Sequence, residues 1–105
     1  MDQGGAPPVF SASAEIDGDH LHVVVAGEVD MATADTMLQT ALREPAAAKI
    51  TLDLSAVTFF DSAAIHALVR LAQEFSGRLS VRPSRQVRRV LEISGLGEQG
   101  WLDPA

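Results

Sequence analysis

Apolar positions recur along this chain with two different periods. In KITLDLSAVTFF (Lys49–Phe60), Ile50, Leu52 and Leu54 alternate with Thr51, Asp53 and Ser55, the period-two signature of a strand. HLHVVVAG (His20–Gly27) is a β-branched run, apolar enough to predict a central strand covered on both faces. Ser11–Ile16 reads as a further strand, joined to that run through the turn Asp17-Gly18-Asp19 as a hairpin. RLSVR (Arg78–Arg82) supplies a fourth.

Helical spacing fills the gaps. In MATADTMLQTALR, Ala34, Met37, Leu38, Ala41 and Leu42 form one stripe, with Asp30 placed to cap its start. From Ser62 to Phe75, Ile65, Leu68, Val69, Ala72 and Phe75 share a face, and Gly77 ends the pattern. Ser84 caps SRQVRRVLEIS, whose Val87, Val90 and Leu91 face inward, and Gly95 suits the left-handed C-terminal position. Strands alternating with helices predict an α/β layer fold: a mixed sheet of four to five strands, opened by a hairpin and packed with three to four helices. The first ten residues, MDQGGAPPVF, read as a disordered lead, and residues 11–105 as a single domain.

Composition narrows the function classes. With no cysteine, thiolate nucleophiles, disulfides and Cys-based zinc sites are excluded. No apolar run approaches the roughly 18 residues of a membrane span, and the N-terminus lacks the pattern of a signal peptide. These features predict a cytoplasmic protein without membrane insertion. A net charge of −6 argues against direct nucleic-acid binding. The charge is also uneven: residues 1–61 hold ten acids and two bases, residues 62–105 four acids and six bases. Five arginines (Arg78, Arg82, Arg85, Arg88, Arg89) are read as solvated helix-face and flanking charges. The acidic group Glu28, Asp30, Asp35 and Asp61 is the better candidate for docking a protein.

FFDSAAIHAL (Phe59–Leu68) carries the candidate chemistry. Ser62 falls where a strand gives way to a helix, at the positive end of the helix dipole. A plain capping role would explain it, and so would a regulatory site: a phosphate there sits at a natural anion position while adding about −1.5 to −2 charges beside Asp61 and Asp30. His66, four residues on, could meet Ser62 as a nucleophile–base pair. Against a hydrolase stand the missing G-x-S-x-G elbow and the lack of a second loop for an oxyanion hole. His20 and His22 point to one face of a strand without a third metal ligand at recognisable spacing, so no metal site is expected. Trp101 and Leu102 read as a cover for the core.

GEVDMATAD, LDLSAVTFFDSAAIHAL and PSRQVRRVLEISGLGE, in this order and spacing, resemble the STAS domain of bacterial anti-sigma factor antagonists. The resemblance runs from the first hairpin to about Leu102. It implies a non-enzymatic regulator of sigma-factor-dependent transcription, without a cofactor of its own, whose partner is an anti-sigma factor serine kinase. Ser62 matches the serine that such a kinase phosphorylates, Asp61 the acid before it and Asp30 the acid ending GEVD. Asp30, Asp61, Ser62, Ala63, Ala64 and His66 are then the expected partner-binding set, on a monomeric chain. One departure stands out. Ser62-Ala63-Ala64 replaces the family's usual serine, Ser or Ala, then Gly, which predicts an extra Cβ at Ala64 where a partner's backbone would approach. The alternatives are an accessory STAS subunit of a lipid-transport ABC ATPase and, from another class, a small hydrolase using Ser62 and His66.

Overall fold

A two-residue turn at Gly18-Asp19 reverses the chain between β1 (Phe10–Asp17) and β2 (His20–Val29), and Gly18 takes the left-handed φ of 64° that such a turn demands. The computed structural model describes residues 9–104. Most of the expected N-terminal lead lies outside that range, and Phe10, assigned to the lead from sequence, already belongs to β1. The remaining elements are α1 (Ala34–Ala41), β3 (Lys49–Phe60), α2 (Ser62–Glu74), β4 (Leu79–Pro83) and α3 (Arg85–Ile93). The sheet order is β1-β2-β3-β4, with β1 antiparallel to β2 and the other pairs parallel. The C-terminal segment adds a parallel bridge, Val81 to Leu102, at the β4 edge.

Each parallel step crosses over through a helix. Core side chains of the sheet (Leu21, Val23, Val25, Ile50, Leu52, Leu54, Leu79, Val81) are buried against Met37, Leu38, Leu68, Leu71, Phe75, Val87 and Leu91 of the helices and their ends. Each such side chain contributes about 1.5–3 kcal/mol by leaving water. The opposite face carries Ser11, Ser13, Glu15, His20, His22, Val24, Thr51 and Asp53, none of them buried. The VVV run had predicted β2 covered on both faces. Instead Val24 is 47% exposed, because the helices cover one face only and an apolar run cannot say which of its members looks outward. The stripe expected for α2 is likewise rotated. Ala64, Ala67, Leu68 and Leu71 are the buried members, while Ile65, Val69 and Ala72 lie half-buried at its flank.

β3 departs twice from strict alternation. Val24 and Ala26 of β2 pair with Asp53 and Ala56, and Gly27 and Glu28 with Val57 and Phe59, so β3 carries one extra residue at each step. Its buried positions accordingly run Ile50, Leu52, Leu54 and then Val57 and Phe60, with spacings of two followed by three. Asp53 folds onto the first of these bulges, its Oδ1 accepting from Ser55 N (2.9 Å) and Ser55 Oγ (2.6 Å). Gly27 sits at the second with φ of 90°, where a Cβ would lie 2.0 Å from Val9 O. Only glycine fits there.

Two of the five arginines tie the chain down rather than standing in solvent. Arg78 donates to the carbonyls of Pro45, Ala47 and Glu74 and lies over the Phe75 ring, while Arg88 donates to Asp103 O.

Candidate functional site

The parallel strands β2 and β3 end side by side, since Val29 pairs with Phe60 and Asp61 N donates to Val29 O (3.2 Å). Asp30 and Asp61 therefore leave the sheet at neighbouring points, at the C-terminal edge where open α/β sheets place their sites. Each acid organises the turn that follows it.

Asp30 was expected to cap the first long helix. In the structure that helix begins only at Ala34, with Thr33 at the cap position, and Asp30 holds the turn in between. Its Oδ1 accepts from Ala32 N (2.9 Å), and its carbonyl accepts from Thr33 N (3.1 Å) and Ala34 N (2.8 Å). Thr33 Oγ1 accepts from Asp30 N (2.9 Å) and reaches Glu28 O at 2.9 Å. The run DMATAD offers cap-forming residues at several places, and the closing turn selects among them.

Asp61 caps α2. Its backbone is extended, its Oδ1 accepts from Ala64 N (3.1 Å) and its carbonyl accepts from Ile65 N (3.0 Å). Ser62 is the first helical residue, exposed, and no hydrogen bond joins its hydroxyl to another described residue. The capping role that would have accounted for Ser62 cheaply thus belongs to its neighbour. Two cap-competent residues stand in succession, and the register of β3 decides which one the helix uses.

His66 is exposed on α2, and no hydrogen bond links it to Ser62 among the described residues. Two grooves of the described surface lie elsewhere, one along Arg88, Glu92 and Leu102 and another between Val69, Ala72 and Trp101. Neither gives Ser62 an enclosed substrate pocket. Ala63 is half-buried and Ala64 is 0% exposed, its methyl turned into the core. The expectation that the Ala64 Cβ obstructs a partner is therefore corrected: α2 packs on α1 and β3, and Ala64 lies on its buried side as part of the core. Sequence reasoning missed Met31, which is 84% exposed directly after Asp30, and Phe59, half-exposed on the open face beside Glu28. Large apolar groups left in water are their signal, and alternation within FF could not assign it.

His20 and His22 do share a face, with rings stacked 3.9 Å apart and His20 Nε2 2.8 Å from Thr51 Oγ1. Among the described residues no three histidine or acidic side chains converge as a metal site would require. On the same open face Asp53 is partly withdrawn from water, which raises its pKa. The Ser55 hydroxyl and amide and the nearby Arg82 outweigh that effect and hold the carboxyl below its ordinary 3.8.

Comparison with known proteins agrees with this geometry. A family described as Mlab, STAS domain, matches residues 12–103. An anti-sigma factor antagonist from Mycobacterium paratuberculosis is 27% identical and superposes with a TM-score of 0.79, over 95% of this chain and 90% of that one. The anti-sigma factor antagonist SpoIIAA in its unphosphorylated form is 20% identical, with a TM-score of 0.72 over 90% of this chain and 88% of that one. The Bacillus cell fate determinant SpoIIAA in its phosphorylated form is 21% identical, with a TM-score of 0.65 over 90% and 91%. No curated protein matches at the same stringency. Matched over nearly its whole length, and sharing the fold of anti-sigma factor antagonists, the chain belongs to the STAS domain family.

Proposed function

We propose that the chain is an anti-sigma factor antagonist that docks on an anti-sigma factor serine kinase through the Asp30–Ser62 edge and is switched off by phosphorylation of Ser62. One observation carries this reading: Asp61 does the capping, which leaves the Ser62 hydroxyl exposed and uncommitted at the first position of a 13-residue helix. Among the structural relatives, SpoIIAA is known in phosphorylated and unphosphorylated forms. A phosphate on Ser62 is tolerated by its own protein at the helix N-terminus, where backbone N–H groups lack partners. The same group adds about −1.5 to −2 charges to an edge already bearing Asp30 and Asp61. A partner that covers a neutral hydroxyl, with Met31 and Phe59 as the apolar part of the contact, must then desolvate a dianion. The fold stays and the contact fails. The protein itself performs no chemistry in this reading; ATP and Mg²⁺ belong to the kinase.

The test mixes the chain with a purified anti-sigma factor kinase, with and without ATP and Mg²⁺. The unmodified protein and Ser62→Ala should bind, with only the former gaining phosphate by intact mass. Stoichiometrically phosphorylated protein should bind at least about tenfold more weakly, a difference of about 1.4 kcal/mol. Equal affinity of the two forms would overturn the switch.

The second reading, an accessory STAS subunit of a lipid-transport ABC ATPase, rests on the likeness of the central motif, FFDSAAIHAL. It is favoured instead if the chain forms a stable complex with a transport ATPase and Ser62 carries no phosphate in the cell.

A further inference from the structure

The two edges of the sheet are finished differently. At β4 the C-terminal segment closes the ladder: Val81 N donates to Trp101 O (2.7 Å) and Asp103 N donates to Val81 O (2.9 Å). At β1 no described residue pairs with the outer edge. That edge runs for eight residues, FSASAEID, with no lysine, no proline and no break in its pairing to β2. Such an edge is a template for another strand.

The ladder shows which groups are free. Glu28 N donates to Val9 O (2.7 Å), and the β1–β2 register continues unshifted from Phe10↔Gly27 to Asp17↔His20. Antiparallel residues turn both backbone groups alternately toward and away from their partner strand. Ser11, Ser13, Glu15 and Asp17 therefore bond β2, whereas Phe10, Ala12, Ala14 and Ile16 turn N–H and C=O outward. The side chains of this outward set are in phase with the core face. Ile16 is nevertheless 49% exposed and Phe10 only half-buried.

We propose that this edge binds a second copy of the chain, β1 to β1 antiparallel, about a two-fold axis at Ser13. Outward groups must meet outward groups, and core faces must align. In only one register do all four outward residues pair among themselves: Phe10 with Ile16 and Ala12 with Ala14, each way across the axis. That register sets the partly exposed Phe10 beside the half-exposed Ile16 of the second copy, so each covers apolar surface the monomer leaves wet. On the open face Ser11 lies opposite Glu15 and Ser13 opposite itself, so no acid directly faces an acid. Moving the axis to Ala14 leaves Phe10 unpaired, and moving it to Ala12 does the same to Ile16. Edge pairing alone falls at the small end of protein interfaces, so the dimer is weak and concentration-dependent. Two chains of net charge −6 repel, so added salt strengthens it. The monomer expected from sequence is then the dilute, low-salt form.

The absence of cysteine from the chain makes a clean experiment possible. Sedimentation of the unmodified protein across a wide concentration range, at low and high salt, should show dimer increasing with both. In Ser13→Cys the two sulfur-bearing residues face each other as a non-hydrogen-bonded pair with Cα atoms about 4.5 Å apart, within disulfide reach. Under mild oxidation it should give a covalent dimer. Ser11→Cys and Glu15→Cys place their copies four residues apart along the strand, about 13 Å, and should not cross-link. Ala14→Pro removes an outward N–H without touching the β2 ladder; it should keep a wild-type circular dichroism spectrum and weaken the dimer at least about tenfold. Monomer at every concentration in high salt, equal cross-linking of the three cysteine variants, or undiminished dimerisation of a folded Ala14→Pro would each overturn the proposal. If Ala14→Pro does not fold, the cysteine series alone decides.

Discussion

Replacing Asp61 or Ser62 by alanine separates two adjacent residues that the sequence could not tell apart. Asp61→Ala removes the acceptor for Ala64 N at a partly buried helix start, leaving that donor without its side-chain partner. Loss of an N-cap typically costs about 1 kcal/mol, within a range of about 0.5–2. Ser62→Ala removes an exposed hydroxyl that bonds no described group, at a helical position where alanine is the better former, so its effect should stay within about 0.5 kcal/mol of zero. For a domain of this size 1 kcal/mol corresponds to about 4–8 °C in Tm. Paired urea and thermal unfolding of wild type, Asp61→Ala, Ser62→Ala and the cap-preserving Asp61→Asn measures this directly. Asp61→Asn should recover most of the lost stability, because asparagine caps about as well as aspartate. A Ser62→Ala loss equal to that of Asp61→Ala would refute the reasoning: the hydroxyl would then be engaged in the fold, and the observation that carries the proposed switch would be gone.

Three further outcomes follow from the packing. Ala64→Gly should lower stability by about 1 kcal/mol or somewhat more, through helix propensity and a lost buried methyl, and leave partner affinity unchanged, since the Cβ faces the core; tighter binding of the variant would place that Cβ in the interface after all. Gly27→Ala should cost at least about 3 kcal/mol, visible as a collapse of the urea midpoint, because both its φ of 90° and the Val9 carbonyl exclude a side chain. Asp53 has a depressed pKa when folded, so its stabilising contribution is present above the unfolded value near 3.8 and is lost as pH falls through the lower folded value. Ser55→Ala removes one of the donors responsible, so its destabilisation should be larger at neutral pH than under strongly acidic conditions; urea denaturation at both checks the sign.

The order of strands and helices, the hairpin turn, the Ser84 cap, the stop at Gly77 and the left-handed Gly95 were legible in the sequence because each rests on a local preference. What escaped was set by contacts between elements. The apolar run of β2 gave no hint that Val24 faces water, since only the placement of every helix on one side decides that. DMATAD and DSAA each offered competing caps, and the choices of Thr33 and Asp61 follow from where β2 and β3 end. The position of the candidate site was therefore readable to within a turn. The division of labour between Asp61 and Ser62 was not.

The paired bulges of β3 reach further than their local geometry. Each one reverses which face the following residues address, and two together cancel, so Phe60 returns to the core side that Ile50 began. Each extra residue is absorbed where it stands, so the strand can lose one at either step without moving its ends: the step straightens, Phe60 keeps its pairing to Val29, and Asp61 keeps its bond to Val29 O. Losing one at each step would leave a regular strand between the same two ends. A single deletion at the first step should therefore abolish the Asp53–Ser55 contact while leaving the turn that presents Ser62 in place. The bulges act as slack in β3, and the position of Ser62 is set by the partner strand instead.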